Sequence, residues 1–222
     1  MGNAMIQNRR LEQTADGSST IYVPELDEHY HSVKGALTES MHVFVGSGLR
    51  RCAKAAVRVF EVGYGTGLNA ALTALNADGR RVDYYSVERY PLSAADAVAY
   101  ADTLGDPTVA DMLRRLNSAP WDGAVSVDEL FTLHKIEGDL ATVSLPDDID
   151  VVYFDAFAPE KQPEMWDEGV FSRLHEAMAD GAVLTTYCAK GVVRRRLQAV
   201  GFTVERLPGP PGGKREILRA TK

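Results

Sequence analysis

Acidic residues and a glycine-rich stretch follow hydrophobic segments of this sequence in a pattern that could build a ligand site. The segment 59–62 contains Glu61 and runs directly into Gly63-Tyr64-Gly65-Thr66-Gly67. A second segment, 81–88, ends in Glu88, and a third, 131–136, runs into Glu137-Gly138-Asp139-Leu140. Glycines let a backbone turn tightly and approach a ligand closely, and the free N–H groups of a following helix point at the same place. The pattern therefore indicates a site for a nucleotide-like ligand at the ends of successive strands.

The spacing of the glycines and the positions of the acids narrow the class of ligand. The glycines read G-x-G-x-G rather than the G-x-G-x-x-G/A of dinucleotide binders, which argues against an NAD-dependent dehydrogenase. Glu61 suits a cationic group, such as the α-amino group of S-adenosylmethionine, better than a pyrophosphate. Glu88 stands 21 positions after Gly67, where a carboxylate accepts the ribose hydroxyls, and Asp139 could accept a hydrogen bond from adenine. The predicted cofactor-binding residues are Glu61, Gly63, Tyr64, Gly65, Gly67, Glu88, Gly138, Asp139 and Leu140.

A fourth hydrophobic segment, 149–154, ends at Asp155 in the run Asp155-Ala156-Phe157-Ala158-Pro159. Ligands in doubly wound folds bind outside the carboxyl ends of the strands, so we expect Asp155 to face the glycine loop. A plain helix cap is the alternative interpretation, but no helical pattern follows this residue immediately. Asp155 is therefore the candidate catalytic residue.

Strand-like and helix-like segments alternate along the chain, which predicts an α/β fold with a largely parallel sheet. Helices are expected at 91–104, 107–116, 165–179 and 191–200, a loop at 117–128, and a fifth strand at 181–188. The last two strands, 202–206 and 214–220, are joined by a loop rich in proline and glycine, which predicts an antiparallel hairpin.

The chain divides into three predicted parts. Residues 1–8 are expected to be flexible, and residues 51–222 to form the catalytic domain. Residues 9–50 form an N-terminal extension, with a hairpin at the Asp16-Gly17 turn and a segment dense in histidine, tyrosine and acidic residues that we expect to line the pocket.

Composition argues against several kinds of protein. Two cysteines, Cys52 and Cys188, are too few for a disulfide framework and form no C-x-x-C pair. No apolar run approaches the roughly 20 residues that span a bilayer, so no membrane association is expected. His29, His31 and His42 lack the spacing typical of a metal site, so no metal is predicted. A reducing, cytoplasmic location is the expectation.

Basic residues are concentrated at the end of an otherwise acidic chain. The net charge is −7, yet residues 186–222 hold nine lysines and arginines against two glutamates. An acidic protein can still bind a polyanion when its basic residues share one face. Charge alone favours the plainer interpretation, a solvated helix surface.

Longer runs of the sequence resemble one family. They are Asp27-Glu28-His29-Tyr30-His31-Ser32, Glu39-Ser40-Met41-His42-Val43-Phe44, Glu61-Val62-Gly63-Tyr64-Gly65-Thr66-Gly67-Leu68-Asn69, Phe154-Asp155-Ala156-Phe157-Ala158-Pro159, Pro163-Glu164-Met165-Trp166, Thr186-Tyr187-Cys188-Ala189-Lys190-Gly191 with Arg194-Arg195, and Gly209-Pro210-Pro211-Gly212 with Lys214-Arg215-Glu216. Together they resemble the methyltransferase domain of the bifunctional tRNA 5-methylaminomethyl-2-thiouridine biosynthesis proteins, the MnmC type, over residues 9–222. The resemblance implies a Rossmann-like class I S-adenosylmethionine-dependent methyltransferase with a mostly parallel seven-stranded sheet, a C-terminal antiparallel hairpin and an N-terminal extension.

The activity that the resemblance implies is N-methylation of 5-aminomethyl-(2-thio)uridine at wobble position 34 of tRNA, which gives 5-methylaminomethyl-(2-thio)uridine. S-adenosyl-L-methionine is the implied cofactor, without FAD or a metal, because the FAD-dependent oxidase half of the fused relatives has no counterpart in these 222 residues. The chain is thus expected to be a stand-alone methyltransferase. Its expected partners are the anticodon region of tRNA and separate enzymes that supply the aminomethyl precursor.

The resemblance also implies roles for individual residues. An alkylamine has a pKa of about 10 and attacks only as the neutral amine, so Asp155 is expected to hold it or take its proton. Further substrate-binding residues come from the N-terminal segment, the loop after Asp155 and the basic C-terminal region. They are Tyr30, His31, Glu39, Phe157, Pro159, Lys161, Lys190, Arg194, Arg195, Lys214 and Arg215.

Three other functions stay open at this point. A methyltransferase of a small amine would use the same residues without the tRNA. An aminopropyltransferase of the spermidine-synthase type has a related loop, but the D-x-x-D-P pattern is absent, since residues 155–159 read Asp-Ala-Phe-Ala-Pro. A non-catalytic tRNA-binding domain is disfavoured by the intact set of Glu88, Asp139 and Asp155.

Overall fold

The structure is a computed structural model that describes residues 9–222, so the flexible N-terminus expected for residues 1–8 lies outside the described part. The strands are β1 (Arg10–Gln13), β2 (Ser19–Val23), β3 (Glu28–His29), β4 (Ala56–Val62), β5 (Arg81–Glu88), β6 (Gly123–Ser126), β7 (Phe131–Glu137), β8 (Ile149–Phe154), β9 (Met178–Thr186), β10 (Thr203–Pro208) and β11 (Glu216–Thr221). The α-helices are α1 (Ala36–Ser40), α2 (Leu68–Leu75), α3 (Ala94–Asp102), α4 (Pro107–Ser118), α5 (Glu168–Ala177) and α6 (Gly191–Ala199). A π-helix, Met41–Gly46, continues α1, and short 3₁₀-helices lie at Leu49–Arg51 and Pro163–Trp166.

The central sheet has the strand order β10-β11-β9-β8-β4-β5-β7-β6. The five inner strands β9, β8, β4, β5 and β7 run parallel. At one edge β10 and β11 form the expected antiparallel hairpin, and β11 pairs antiparallel with β9. This is the predicted α/β fold of class I methyltransferases.

The sheet has eight strands where seven were expected. The additional strand, β6, lies within the segment 117–128 that was predicted to be a loop, and it pairs antiparallel with β7 at the sheet edge. It starts after Asp122, which has a φ of 59° and whose N–H donates to the Lys135 carbonyl at 2.7 Å. Four residues that begin with Gly123 and follow a turn at Asp122 carry too little alternation to indicate a strand.

Helices cover both faces of the sheet, as the burial of β8 shows. Every residue of β8 is buried, with Val151 and Tyr153 in the core layer shared with α2 and α4, and Val152 and Phe154 in the layer shared with α5 and α6. A parallel strand buried on both faces reads as a continuous apolar run. Each such large side chain contributes about 1.5–3 kcal/mol through burial. The strand is therefore a firm base for the loop that follows it.

The N-terminal extension contains the expected hairpin. β1 pairs antiparallel with β2, and the turn between them includes Gly17 with a φ of 82°. The Asp16 carboxylate accepts hydrogen bonds from Ser18, Thr14 and Thr38. Although burial opposes it, these bonds hold the pKa of Asp16 well below its usual value. The ionised aspartate thus ties the hairpin to α1. Within the described residues, no helix combines the length and the apolar character that a membrane span requires.

Candidate active site

The carboxyl ends of β4, β5 and β8 meet at one edge of the sheet. The Gly63 N–H donates to the Val87 carbonyl at 3.0 Å, and the Asp155 N–H donates to the Val62 carbonyl at 3.1 Å. The loop after β7 joins them, because the N–H of Gly138 donates to a β5 carbonyl at 3.0 Å. The glycine loop, Asp155 and the segment at Gly138 therefore lie next to one another, as the sequence predicts.

Gly63, Gly65 and Gly67 all adopt left-handed backbone conformations, with φ of 88°, 53° and 85°. All three are also closely packed, and a Cβ on Gly67 would lie 2.8 Å from the Tyr64 hydroxyl oxygen. A Cβ on Gly63 would lie 2.9 Å from the Asp155 carbonyl oxygen, and one on Gly65 would lie 2.9 Å from the Tyr30 ring. Glycine is required at these positions for conformation and for space.

Glu88 lies at the end of β5 beside this loop. One of its carboxylate oxygens accepts the Gly65 N–H at 3.1 Å, and the other accepts the Tyr90 N–H at 2.8 Å. Asp139 forms an ion pair with Arg89 at 3.0 Å, and its other oxygen accepts the backbone N–H of residue 141. Two of the three predicted cofactor carboxylates, Glu88 and Asp139, thus lie at the strand ends, with Glu88 in direct contact with the glycine loop.

A cleft of about 620 Å³ opens beside Asp155. It is bounded by the N-terminal extension, the loop after β8, the segment after β9 and the β10–β11 loop. The predicted site residues that line it are Tyr30, His31, Glu39, Asp155, Phe157, Pro159, Lys190, Lys214 and Arg215. The lining includes Asp155 and eight of the eleven predicted substrate-binding residues, but none of the nine predicted cofactor-binding residues.

Asp155 has a raised proton affinity in this cleft. Burial and the negative charge of Glu39 raise the pKa of Asp155 to about 7. A hydrogen bond from Asn69 Nδ2 at 2.8 Å and the charge of Lys214 oppose the rise. Near neutral pH this carboxyl group can therefore both accept and release a proton.

Glu39 and Lys214 close the cleft from opposite ends of the chain. Glu39 accepts hydrogen bonds from Lys214 Nζ at 3.0 Å and from the Ser32 N–H at 3.1 Å. The Lys214 ammonium also lies 3.8 Å from the centre of the Tyr187 ring. The cleft thus already holds one cation between a carboxylate and an aromatic face.

Side chains hold the loop after β8 in place. The Tyr187 hydroxyl donates to the Ala156 carbonyl, and Trp166 Nε1 donates to the Phe157 carbonyl, both at 2.8 Å. The Phe157 ring meets the Tyr30 ring edge-on, with centroids 5.4 Å apart and an interplanar angle of 77°. The cleft therefore has a fixed aromatic wall.

Sequence reasoning missed two residues of the site, Asn69 and Tyr187. Asn69 is 2% exposed and lies in the first turn of α2, where its neighbours are leucine and alanine. A lone amide on the buried face of an apolar helix was the available signal. Tyr187 follows β9, and its place in one of the runs that resemble the family was its available signal, because its contacts with Ala156 and Lys214 are long-range.

Several predicted site side chains lie outside the cleft. Glu61 is fully buried, accepts a hydrogen bond from Ser86 Oγ at 2.7 Å, and has a pKa raised to about 8, chiefly by burial. Tyr64 packs edge-on against Trp121 within the core, with centroids 5.5 Å apart. In this conformation neither side chain reaches a ligand, so only the backbone at Tyr64 is available to a cofactor.

Each of the three histidines of the N-terminal extension bonds to a different partner. His29 pairs with Glu12 at 2.9 Å, and His42 contacts the Pro208 carbonyl at 2.8 Å. His31 lines the cleft, but its Nε2 is bonded to Thr66 Oγ1 at 2.8 Å. Across residues 9–222 no group of three or more His, Cys, Asp or Glu side chains could hold a metal ion.

The predicted basic residues differ in how they are neutralised. Lys161 pairs with Asp27 at 3.7 Å, and Lys190 pairs with Glu160. Arg195 and Arg215 are exposed, and neither has a carboxylate within 4.0 Å among the described residues. Arg194 is half-buried, and its Nε has no partner in that part of the chain.

The strand-end groups fit a cofactor with a nucleoside and a charged tail. The left-handed glycines leave room for close approach, the N-terminus of α2 offers unpaired N–H groups, and Glu88 supplies a carboxylate at the ribose position. This donor set matches S-adenosylmethionine.

Comparisons with known proteins agree with this geometry. A family model described as S-adenosyl-L-methionine-dependent methyltransferase matches residues 116–222. The tRNA 5-methylaminomethyl-2-thiouridine biosynthesis bifunctional protein MnmC of Ralstonia nicotianae is 35% identical over 215 residues, which cover 90% of this chain and 33% of that protein. The protein of the same name from Cupriavidus metallidurans is 34% identical over 94% of this chain and 33% of its own length. The chain thus spans about a third of the length of these curated relatives.

Solved structures show the same relationship. The structure of MNMC2 from Aquifex aeolicus matches with a TM-score of 0.78 and 26% identity, over 99% of this chain and 72% of that one. Spermidine synthase from Thermotoga maritima, with a TM-score of 0.61, 15% identity and coverage of 100% of this chain and 71% of its own, shares the fold. The family model places residues 116–222 among the S-adenosyl-L-methionine-dependent methyltransferases, and the relatives that match most of the chain are of the MnmC type.

Proposed function

We propose that this protein transfers a methyl group from S-adenosylmethionine to the amine of 5-aminomethyl-(2-thio)uridine at tRNA position 34. The observation that carries the proposal is the Asp155 carboxyl group, with a pKa of about 7, in a cleft that adjoins the glycine loop. The names of the MnmC relatives support the choice of substrate.

In this proposal Asp155 handles the proton of the substrate amine. The amine arrives as an ammonium ion with a pKa of about 10 and must lose a proton before its nitrogen can attack. An ionised Asp155 attracts the ammonium and accepts that proton. Glu39 adds a second negative charge nearby, and the Tyr187 ring provides a face for a cation.

The cofactor would be held on the other side of Asp155. We assign the ribose hydroxyls to Glu88, the adenine to the segment Gly138–Asp139–Leu140, and the methionine end to the backbone of the glycine loop. When bound, S-adenosylmethionine supplies an electrophilic methyl group on a sulfonium ion. The fixed loop after β8 would orient the amine in line with it, and orientation of this kind provides much of a transfer rate.

The tRNA would approach across the basic C-terminal region. Residues 9–50 would form the substrate-side wall, and the uridine would leave its stack to lie against the aromatic wall formed by Tyr30 and Phe157. Lys190, Arg194, Arg195 and Arg215 would contact phosphates, with Lys161 at the edge. A tRNA substrate would place the protein in the cytoplasm, where a separate enzyme would supply the aminomethyl precursor.

The test is methyl transfer from labelled S-adenosylmethionine to tRNA that carries 5-aminomethyluridine 34. We expect Asp155→Asn to lower kcat/KM by at least about a hundredfold, the usual contribution of a general base. Asp180→Asn is the matched control, because Asp180 is an exposed aspartate on β9 outside the cleft. Retention of full activity by Asp155→Asn would contradict the proposal.

Parallel assays separate the alternatives. Turnover of the free aminomethyl nucleoside as fast as of tRNA would indicate a small-amine methyltransferase. Turnover with decarboxylated S-adenosylmethionine and a polyamine would indicate an aminopropyltransferase. Spermidine synthases share the fold of this chain.

A further inference from the structure

A lysine lies in the hydrophobic core beside the glycine loop. Lys135 is on β7, on the face of the strand that also carries Phe131 and Leu133, and it is 2% exposed. Burial lowers the pKa of Lys135 to about 8, so the side chain is still mostly a cation at neutral pH. Burying a cation is costly unless polar groups surround it, so the partners of Lys135 should explain its position.

The first partner of this ammonium group is the end of α4. Lys135 Nζ donates to the Leu116 carbonyl at 3.1 Å and to the Asn117 carbonyl at 3.3 Å. Both carbonyls belong to the last turn of α4, where carbonyl groups lack the usual helical partner and the helix dipole favours a cation. Lys135 therefore caps α4 and fixes the end of this helix against β7.

Two aromatic rings contact the same cation. The ammonium group lies 4.9 Å from the centre of the Trp121 ring and 5.4 Å from the centre of the Tyr64 ring. Contacts of this kind between a cation and an aromatic face are strongest where water is excluded. Tyr64 belongs to the glycine loop, so Lys135 fixes that loop from the side of the core.

The end of α4 holds the glycine loop at a second point. Asn117 Nδ2 donates at 3.0 Å to the carbonyl of Thr66, which stands between two of the loop glycines. Within the loop, the Gly67 N–H donates to the Tyr64 carbonyl at 2.8 Å. Lys135 is thus connected to the loop in two ways, through the Tyr64 ring and through the helix end that carries Asn117.

We propose that Lys135 is a positioning residue for S-adenosylmethionine, because it fixes the glycine loop through the Tyr64 ring and through the end of α4. It acts through these partners and not by touching the cofactor, since its side chain is buried and does not line the cleft. A loop that is already ordered loses less conformational freedom when a ligand binds, so its affinity is higher.

Lys135→Met tests the role, because methionine is also unbranched and fills a similar space without a charge or a donor. We expect the dissociation constant for S-adenosylmethionine, measured by isothermal titration calorimetry, to rise about tenfold. The contact of Asn69 with Asp155 is unchanged, so KM for S-adenosylmethionine should rise while kcat at saturation stays within about threefold of wild type.

Lys222→Met is the matched control. Lys222 also donates to carbonyls at a helix end, those of Met178 at 2.7 Å and Glu176 at 3.5 Å. It lies beside the amino end of β9, whereas the glycine loop lies at the carboxyl ends of the strands. We expect Lys222→Met to bind S-adenosylmethionine as wild type does.

Asn117→Ala tests the connection between the helix end and the loop. It leaves Lys135 in place and removes the hydrogen bond to Thr66, so the affinity for S-adenosylmethionine should again decrease, by about tenfold. Because Lys135 acts partly through Asn117, the double variant should lose less affinity than the product of the two single losses. Losses that multiply would show that the two residues act separately and would overturn the proposed connection.

A merely structural role predicts a different set of results. If Lys135→Met unfolded at a lower temperature but bound S-adenosylmethionine as tightly as Lys222→Met, the proposal would be overturned. If Lys135→Met did not fold, Asn117→Ala would decide, and an affinity equal to that of wild type would count against the positioning role.

The two proposals fail in different ways, because the calorimetric test needs no tRNA and only the kinetic consequence rests on the proposed function. If the wild-type chain bound S-adenosylmethionine but transferred no methyl group to the tRNA, the proposed function would fall, and the affinities would still decide the role of Lys135. If transfer occurred and both variants bound the cofactor normally, only the positioning role would fall.

Discussion

Asp155 is surrounded by groups that change its proton affinity in opposite directions. Burial and Glu39 raise its pKa, while Asn69 and Lys214 lower it, and the result is a value of about 7. An aspartate with an ordinary pKa would be a weaker base, and one with a much higher pKa would be protonated at neutral pH. The balance suits a group that must receive a proton from an ammonium ion.

The pH dependence of methyl transfer follows from this balance. Because Asp155 must be ionised to accept a proton, we expect activity to be present above a pH of about 7 and to be lost as pH falls through it. Glu39→Gln removes a negative charge that raises the pKa of Asp155. The acidic limb of the pH profile should therefore move to lower pH, by about half a pH unit. The measurement is kcat/KM against pH for both proteins. A limb that moves up in Glu39→Gln would contradict the assignment of Asp155.

The strands that carry the site could be predicted because their local patterns match their final surroundings. The run at β8 is largely apolar since both faces of that strand are covered, and β4, β5 and β8 each end at an acid or directly before a glycine or an acid. β6 could not be predicted, because it lies at the edge of the sheet and its partner in that sheet is β7, which it joins through the turn at residues 127–130. Pairing across an edge depends on tertiary contacts that a four-residue segment does not encode.

The side chains of the site were less predictable than its strands. The cleft brings together Tyr30, Glu39 and Lys214 as expected, but the interior position of Glu61 was not foreseen. Its place in the pattern indicates only that it ends a strand beside the glycine loop. Whether it faces a ligand or the core depends on Ser86 and Asn69, which lie on other elements.

The glycine loop provides a test at the level of a single element. Ala at Gly63 would place a Cβ 2.9 Å from the Asp155 carbonyl oxygen, at a φ of 88°. Gly79, in the turn before β5, has a φ of 76° with nothing within 4 Å of the Cβ position, so Gly79→Ala is the matched control. Both variants should lose about 1 kcal/mol of stability from the left-handed backbone.

Only Gly63→Ala should also weaken S-adenosylmethionine binding, by more than about tenfold, because the clash pushes the loop and Asp155 apart. Isothermal titration calorimetry with S-adenosylmethionine distinguishes the two variants. If Gly63→Ala bound S-adenosylmethionine as tightly as the control Gly79→Ala, the loop would tolerate the added Cβ and the expectation would be wrong.

The cleft is closed by parts of the chain that are distant in sequence. Glu39 meets Lys214, and His42 meets the Pro208 carbonyl, so the N-terminal extension is fastened to the hairpin at the other end of the chain. This closure places part of the basic region 186–222 beside the cleft. The loop before β11 brings Arg215 into the lining of the cleft, and α6, which carries Arg195, begins directly after Lys190 of that lining.

The proposed binding of tRNA should therefore depend on salt and on those two arginines. Removing one cation that neutralises a phosphate should reduce the slope of log affinity against log salt by about one, so Arg195→Ala and Arg215→Ala should each flatten it by that amount. Arg81→Ala is the control, because Arg81 is an exposed arginine at the amino end of β5, away from the cleft. Binding of tRNA measured by fluorescence anisotropy over a range of salt concentrations gives the slopes. If Arg81→Ala flattened the slope as much as the other two, the tRNA-binding surface would not be the one beside the cleft, and the basic C-terminal region would be an ordinary solvated surface.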